Sequence, residues 1–240
     1  VVLKIALAQF KPTLNRENLQ RHIEIIENLQ QDVDLIIFPE LSLNGYYLQD
    51  KVLEDCWDIS ELQEIAKLSQ KVDIVLGGAI RENRDIFNSS LYFSDGELIH
   101  SHHKLHLPNY GLFEEARFFS DGEEIKAFKT RFGKTISLVC EDLWRGSTFA
   151  EIEKNQPDLI IVISSSPARG FENGEIEIVE QWKALLKSAS ILGEAKTIFV
   201  NRVGFEDGLG FWGGSMILNK RGKVEKMLPL YRETVEIFDI

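Results

Sequence analysis

Three residues that directly follow strand-like runs carry the side chains of an acyl-transfer site. Cys140 closes the run Thr135–Val139, Glu40 follows Leu35-Ile36-Ile37-Phe38-Pro39, and Lys104 follows Leu98–His103. A thiol attacks a carbonyl as its thiolate, which calls for a base, a nearby cation or the free N–H groups of a turn. A carboxylate at the mouth of a buried strand is either solvated at the sheet edge or partly desolvated, and desolvation raises its pKa toward that of a useful base. An ammonium group supplies counter-charge to a developing oxyanion. Nucleophile, base and cation together make a coherent set. Taken singly, each has a structural alternative, since free Cys is among the most buried residue types and Lys is almost always exposed. Cys56, beside Trp57 and without such partners, reads as a core residue.

Four of the five histidines, His100, His102, His103 and His106, fall within seven residues. On a strand, His100 and His102 share one face while His103 points the other way. No Cys or acidic residue accompanies them at ligand spacing, so the expectation is no metal site. One of them could instead serve as base for Cys140, which makes histidine the rival to Glu40. The glycines at 77–78, 208, 210 and 213–214 match neither a phosphate loop nor a dinucleotide fingerprint and read as turns or close packing. No redox or phosphate cofactor is called for.

Positioning such a set requires strands that end near one another. Leu3–Gln9, Asp34–Phe38, Asp73–Ile80, Phe87–Phe93 and Leu98–His103 read as strands, with Asp95-Gly96 as a hairpin turn. Asn15 precedes a helix striped by Leu19, Ile23, Ile26 and Leu29, and Ser60 with Gln63 resembles a capping box opening a second helix. The second half follows suit. A strand at Thr135–Val139, a short helix at Phe149–Lys154 and a strand at Asp158–Ile163 precede a helix striped by Val179, Trp182, Leu186 and Ala189. Strands at Lys196–Asn201, Trp212–Leu218, Lys223–Met227 and Val235–Phe238 close the chain. The quartet Asp-Leu-Ile-Ile at 34–37 recurs at 158–161, in each case within a similar order of elements. These features predict an α/β fold, a four-layer α-β-β-α sandwich of two mixed sheets with outer helices. With no linker or low-complexity stretch, a single domain over 1–240 is expected.

Composition sets the remaining bounds. The 240 residues are 44% hydrophobic with a net charge of −11, which fits a folded chain and opposes a phosphate-tracking nucleic-acid binder. No apolar run approaches the ~20 residues of a membrane span. Val1 to Ile5 enter a strand pattern without the marks of a leader, and two widely spaced cysteines fit a reducing cytoplasm.

Three stretches together resemble one family. Phe38-Pro39-Glu40-Leu41 with Gly45-Tyr46, His103-Lys104-Leu105-His106-Leu107, and Cys140-Glu141-Asp142-Leu143-Trp144 are similar, in order and spacing, to the catalytic motifs of the nitrilase (carbon-nitrogen hydrolase) superfamily. Lys4–Gln9 and Gly213-Gly214-Ser215-Met216 with Gly222 extend the likeness over nearly the whole chain. The resemblance implies the same sandwich, homo-oligomers (dimers or higher) and metal-free hydrolysis of non-peptide C–N bonds through a thioester. It implies Glu40 as general base, Cys140 as nucleophile and Lys104 as stabiliser of the tetrahedral intermediate. Leu107-Pro108-Asn109-Tyr110-Gly111-Leu112-Phe113-Glu114-Glu115 with Arg117-Phe118 is more narrowly similar to the glutaminase domain of glutamine-dependent NAD synthetases.

By that likeness Glu115 supports Lys104 or Glu40, and Tyr110, Phe113 and Glu141 line the substrate pocket. Ser164 and Ser166, in the loop before Pro167, would bind the distal polar end of the substrate. Arg169 either pairs with a substrate carboxylate or is a solvated surface residue. NAD synthetases carry an ATP-using domain that these 240 residues lack. The expectation is therefore a thiol amidase for a small linear amide, with nitriles less favoured. One alternative is a free-standing glutaminase feeding ammonia to a separate synthetase; another is a non-catalytic scaffold, which the presence of all three residue types counts against.

Overall fold

The apolar runs resolve into two six-stranded mixed sheets in the computed structural model, which describes residues 3–47, 49–172 and 175–240. Strands β1 (Lys4–Gln9), β2 (Leu35–Ile37) and β3 (Asp73–Glu82) run parallel, and β4 (Asp85–Ser94) and β5 (Glu97–His103) follow as antiparallel hairpins. Asp95 and Gly96 both take positive φ between β4 and β5, as a tight primed turn requires. In the second half β6 (Phe128–Thr130) pairs antiparallel with β7 (Gly133–Val139), which runs parallel to β8 (Leu159–Ser164). A small ribbon, β9 (Phe171–Glu172) and β10 (Glu175–Ile176), precedes β11 (Lys196–Asn201), which lies parallel to β8. The hairpin β12 (Val203–Glu206) and β13 (Leu209–Trp212) projects beyond β11. The second sheet closes with β14 (Met216–Leu218) and β15 (Val224–Met227), and β16 (Thr234–Asp239) crosses back to pair with β1.

Helices α1 (Asn18–Leu29), α2 (Val52–Asp55) and α3 (Gln63–Leu68) belong to the first half, α4 (Gly146–Asn155) and α5 (Glu177–Leu192) to the second. Strand alternation divides each apolar run between two layers. Ile5, Leu7, Leu35, Ile37 and Val75 meet Val139, Ile161, Ile163 and Val200 in the seam between the sheets. Ala6, Ala8, Ile36 and Leu76 face outward against Ile23, Ile26, Leu62 and Ile65. Ile136, Leu138, Ile160 and Phe199 pack against Ile152, Trp182, Leu186 and Ala189. The expected α-β-β-α sandwich is the observed fold. No helix among the described residues is long and apolar enough to cross a membrane.

Two local expectations are corrected. The strand expected at Trp212–Leu218 is split, because Gly213 and Gly214 take φ of 71° and 62°; Trp212 ends a hairpin and Met216 begins a sheet strand. The helix-opening box lies upstream of Ser60: the Glu61 carboxylate accepts the Asp58 N–H at 2.9 Å, and a 3₁₀ turn over Ile59–Leu62 leads into α3.

Candidate active site

Gly77 decides how Glu40 leaves its strand. A Cβ at Gly77 would lie 2.5 Å from the Leu41 nitrogen and 2.6 Å from the Pro39 oxygen, so only glycine lets this segment lie against β3. Phe38 still pairs with Val75 at 2.8 Å, and Leu41 then turns at φ 49°, leaving Glu40 fully buried. One Glu40 oxygen, Oε1, accepts from Asn88 Nδ2 at 2.8 Å and from Lys104 Nζ at 2.7 Å. The other, Oε2, accepts the Ser165 N–H at 2.6 Å. Lys104 follows β5, its N–H held by the Asn88 carbonyl, and Nζ also donates to Glu115 Oε1 at 2.7 Å. The Tyr46 hydroxyl donates to that same Glu115 oxygen.

Burial and neighbouring charge act against each other at this site. Burial alone would depress the Lys104 ammonium, but the carboxylates of Glu115 and Glu40 outweigh it and hold the lysine well above its usual value. Burial pushes the Glu115 carboxyl up to about 7; Lys104 pulls it down and Glu40 pushes it up. Burial likewise drives the Cys140 thiol well above its ordinary range, with the Glu40 charge adding and Lys104 opposing. A thiol so disfavoured as thiolate would act as a nucleophile only with a base at hand.

Cys140 begins the 3₁₀ turn Cys140–Trp144 at φ 46°, a left-handed conformation that costs a non-glycine residue strain. The Ser164 hydroxyl donates to its sulfur at 3.3 Å. Asp142, fully buried two residues on, joins this turn to the lysine segment. Its Oδ1 accepts the N–H groups of Leu105 and His106 at 2.9 and 3.1 Å, and its Oδ2 accepts Val139 N–H at 3.1 Å. His102 Nε2 completes the set, 2.8 Å from Oδ2. His102 is thereby turned to Asp142. The other histidines do not form a cluster either: His103 Nδ1 meets Ser89 and its Nε2 lies 3.2 Å from Glu82, while His100 stacks on Phe128 at 4.0 Å. Among the described residues no group of three or more His, Cys, Asp or Glu is arranged to hold a metal ion.

The sulfur borders a narrow cavity walled by Tyr46, Tyr110, Phe113, Glu141, Trp144 and Arg169. Glu141 is buried and accepts the Tyr110 hydroxyl at 2.9 Å and an Arg145 guanidinium N–H. Arg169 is exposed at the rim, its guanidinium 5.6 Å from the Trp144 ring. The serine loop reaches the Cys140 thiol. Ser164 contacts Cys140, and Ser166 Oγ accepts the indole N–H groups of Trp182 and Trp212 at 2.9 and 3.3 Å. Ser166 borders the cavity, but both these hydroxyls are engaged within the protein.

Thus Glu40, Lys104, Cys140 and Glu115 converge, and Tyr110, Phe113, Glu141 and Arg169 share the cavity with the thiol. The sequence reading missed Asn88, the Ser165 amide, the Tyr46 hydroxyl and the Asp142–His102 pair. Tyr46 and Asp142 stood inside quoted motifs, which was a usable signal; Asn88 carried none.

The family profile described as Carbon-nitrogen hydrolase matches residues 4–240. A glutamine-dependent NAD(+) synthetase of Acinetobacter baylyi is 33% identical over 96% of this chain, which spans 42% of that relative's length. The solved glutamine-dependent NAD+ synthetase of Acinetobacter baumannii superposes with a TM-score of 0.85 at 30% identity, covering 99% of this chain and 45% of the other. A CN-hydrolase superfamily protein of Xanthomonas campestris shares the fold at a TM-score of 0.86 and 21% identity, covering 100% of this chain and 91% of its own. With the profile matched over residues 4–240 and a relative 33% identical over 96% of the chain, the chain belongs to the carbon-nitrogen hydrolase family.

Proposed function

We propose that this chain is a thiol amidohydrolase that cleaves a small linear amide to a carboxylic acid and ammonia, with the side-chain amide of glutamine as its first candidate substrate. The observation that carries the reading is Lys104 Nζ, held 2.7 Å from both Glu40 and Glu115 beside a thiol that opens onto a cavity. Glu40 takes the thiol proton as sulfur attacks the amide carbon. Lys104, with a backbone N–H following Cys140, receives the oxyanion; a good donor of this kind contributes roughly 3–4 kcal/mol to barrier lowering. The C–N bond breaks as Glu40 returns the proton to the leaving nitrogen. Glu40 then deprotonates water, which attacks the thioester and releases the acid and the thiol. Glu115 keeps Lys104 in place throughout.

The walls favour an amino-acid amide. Glu141 offers a carboxylate to an α-ammonium group, Arg169 a guanidinium to an α-carboxylate, and Tyr110 and Phe113 flank the methylenes between. The test is ammonia release over glutamine, asparagine, other ω-amides, carbamoyl compounds and aliphatic amides, with mass spectrometry during turnover. Glutamine should turn over fastest, with an acyl adduct on Cys140; an adduct confined to Cys56 refutes the assignment. A second reading makes the ammonia feed a partner NAD synthetase, and the likeness to the Acinetobacter baylyi protein favours it. Stimulation of glutamine hydrolysis by such a synthetase separates the two.

A further inference from the structure

We infer that Glu206 is a positioning residue for the Lys104–Glu115 pair, acting through Tyr46 and anchored by Arg202. The inference rests on the amidohydrolase reading of the site. Glu206 ends β12, outside all three catalytic motifs, and is only 7% exposed. Its Oε1 accepts the N–H groups of two consecutive residues, Tyr46 and Tyr47, each at 2.7 Å. Its Oε2 accepts Arg202 Nη1 at 2.9 Å. Arg202 is fully buried, lies 4.1 Å over the Phe211 ring, and has no partner at Nε. A buried guanidinium needs its carboxylate, so the pair fixes the place of Glu206.

The chain bends around this carboxylate. Gly45 takes φ +82°, and a Cβ there would fall 3.0 Å from Glu206 Oε2 and 2.9 Å from Leu14. Beyond the two clamped amides, the Tyr46 hydroxyl donates to Glu115 Oε1, which Lys104 Nζ also reaches, and Lys104 in turn reaches Glu40. One line of hydrogen bonds therefore runs Arg202, Glu206, Tyr46, Glu115, Lys104, Glu40. The same hairpin holds the opposite wall of the cavity, since the Ala168 N–H donates to the Gly210 carbonyl at 2.7 Å and Pro167 pairs with Phe211. Losing the clamp frees two part-buried amides and lets the Tyr46 ring leave Glu115. The carboxylate that aims Lys104 then loses one of its two donors.

The test compares two double variants that differ in one acceptor atom. In both, R202M removes the buried cation, so that no charge is stranded. E206L/R202M lacks any acceptor for the Tyr46 and Tyr47 amides, whereas E206Q/R202M keeps one. E206L/R202M should lose about tenfold or more in kcat with little change in KM, the mark of a misplaced catalytic group. E206Q/R202M should recover most of that loss. The pH–rate profile around 7, where burial places the Glu115 carboxyl, should change in the first variant and return in the second. Equal kcat and equal pH profiles in the two folded variants overturn the inference. Should E206L/R202M not fold, E206D serves instead, because it shortens the carboxylate while keeping a partner for Arg202. A lowered kcat that does not add to the loss in Y46F supports the inference, and a wild-type kcat and pH profile overturns it. Iodoacetamide alkylation of Cys140 across pH, followed by peptide mass spectrometry, needs no substrate. Identical alkylation profiles with and without the clamp therefore count against Glu206 even if no amide is hydrolysed, an outcome that would instead strike the functional reading.

Discussion

The two halves are built alike and equipped differently. In each, a central strand starting Leu-Ile-Ile lies between two parallel neighbours, with further antiparallel strands beyond. The aspartate before that strand does the same work twice. Asp34 Oδ2 accepts the Lys4 N–H at 2.8 Å and Asp158 Oδ2 the Lys134 N–H at 2.7 Å. Counted from these clasps, Glu40 and Ser164 stand six residues past their aspartates, and Phe10 and Cys140 six past their lysines. Equivalent strand ends thus carry a carboxylate against a hydroxyl and an aromatic ring against a thiol. The first half supplies both charged partners of the proposed chemistry and the second supplies the nucleophile, so the site exists only where the two sheets meet. Asp142 ties the two together by binding the amides after Lys104 from the turn of Cys140.

A site divided in this way should fail whichever half is disabled. Cys140→Ala and Glu40→Gln are each expected to lower ammonia release by at least roughly 10³–10⁴-fold, because neither general base nor nucleophile works alone. Circular dichroism should stay native in both variants. Wild-type turnover in either one breaks the comparison, since it would place the whole reaction in one half.

Stability should be asymmetric where activity is not. Lys104→Met leaves the buried carboxylates of Glu40 and Glu115 without their cation, and breaking a buried ion pair by removing one partner costs about 3–5 kcal/mol. Ser164→Ala on the other side removes one hydroxyl from sulfur, at a cost of about 1 kcal/mol. Urea denaturation of the two variants should show that order. Equal losses would mean that the charged half is not what holds the site together.

A pH titration sharpens the same point. The Glu115 carboxyl is raised from 4.5 to about 7 in the folded chain, so the folded state binds a proton that the unfolded state has released. Its contribution is fully present below pH 4.5 and is lost as pH rises through about 7. Between those values the wild type should lose melting temperature relative to Glu115→Gln, which has no proton to release. Parallel melting curves for the two proteins would place the extra proton elsewhere.

Much of this was legible in the sequence, and the exceptions have physical causes. Continuous apolar runs such as Leu35–Phe38 and Leu159–Ile163 announce strands buried on both faces, and their endings announced Glu40 and the serine loop. Cys140 and Lys104 became legible as a pair only through their motifs, because a lone thiol or lysine has a structural explanation. Asn88 could not be found, since a polar residue within a long antiparallel strand carries no mark of the carboxylate it meets across 48 residues. The partners that Ser164 and Ser166 meet inside the protein were not foreseen, because a loop sequence does not show which indoles or sulfur it will meet. The split at Gly213-Gly214 was hidden by the apolar residues on either side, which suit one strand as well as two short ones.

The smallest effects test the duplication itself. Asp34→Ala and Asp158→Ala each delete one side-chain acceptor for a strand-opening N–H, and each should cost about 1 kcal/mol in urea denaturation. Both clasps lie at the far ends of their strands from Glu40 and Cys140, so the rate of the proposed amide hydrolysis should stay within about twofold of wild type in either variant. The second clasp is the tighter: Gly133 takes φ +100°, and a Cβ there would fall 2.4 Å from Asp158 Oδ2, so the β7 turn is moulded on this carboxylate. Loss of Asp158 therefore acts on the strand that delivers Cys140, whereas loss of Asp34 acts on one that ends in Phe10. A rate defect confined to Asp158→Ala would show that the nucleophile's register depends on its clasp and that the halves are equivalent only in outline. Matched stability costs with unchanged rates would make the clasp a property of the repeated architecture alone.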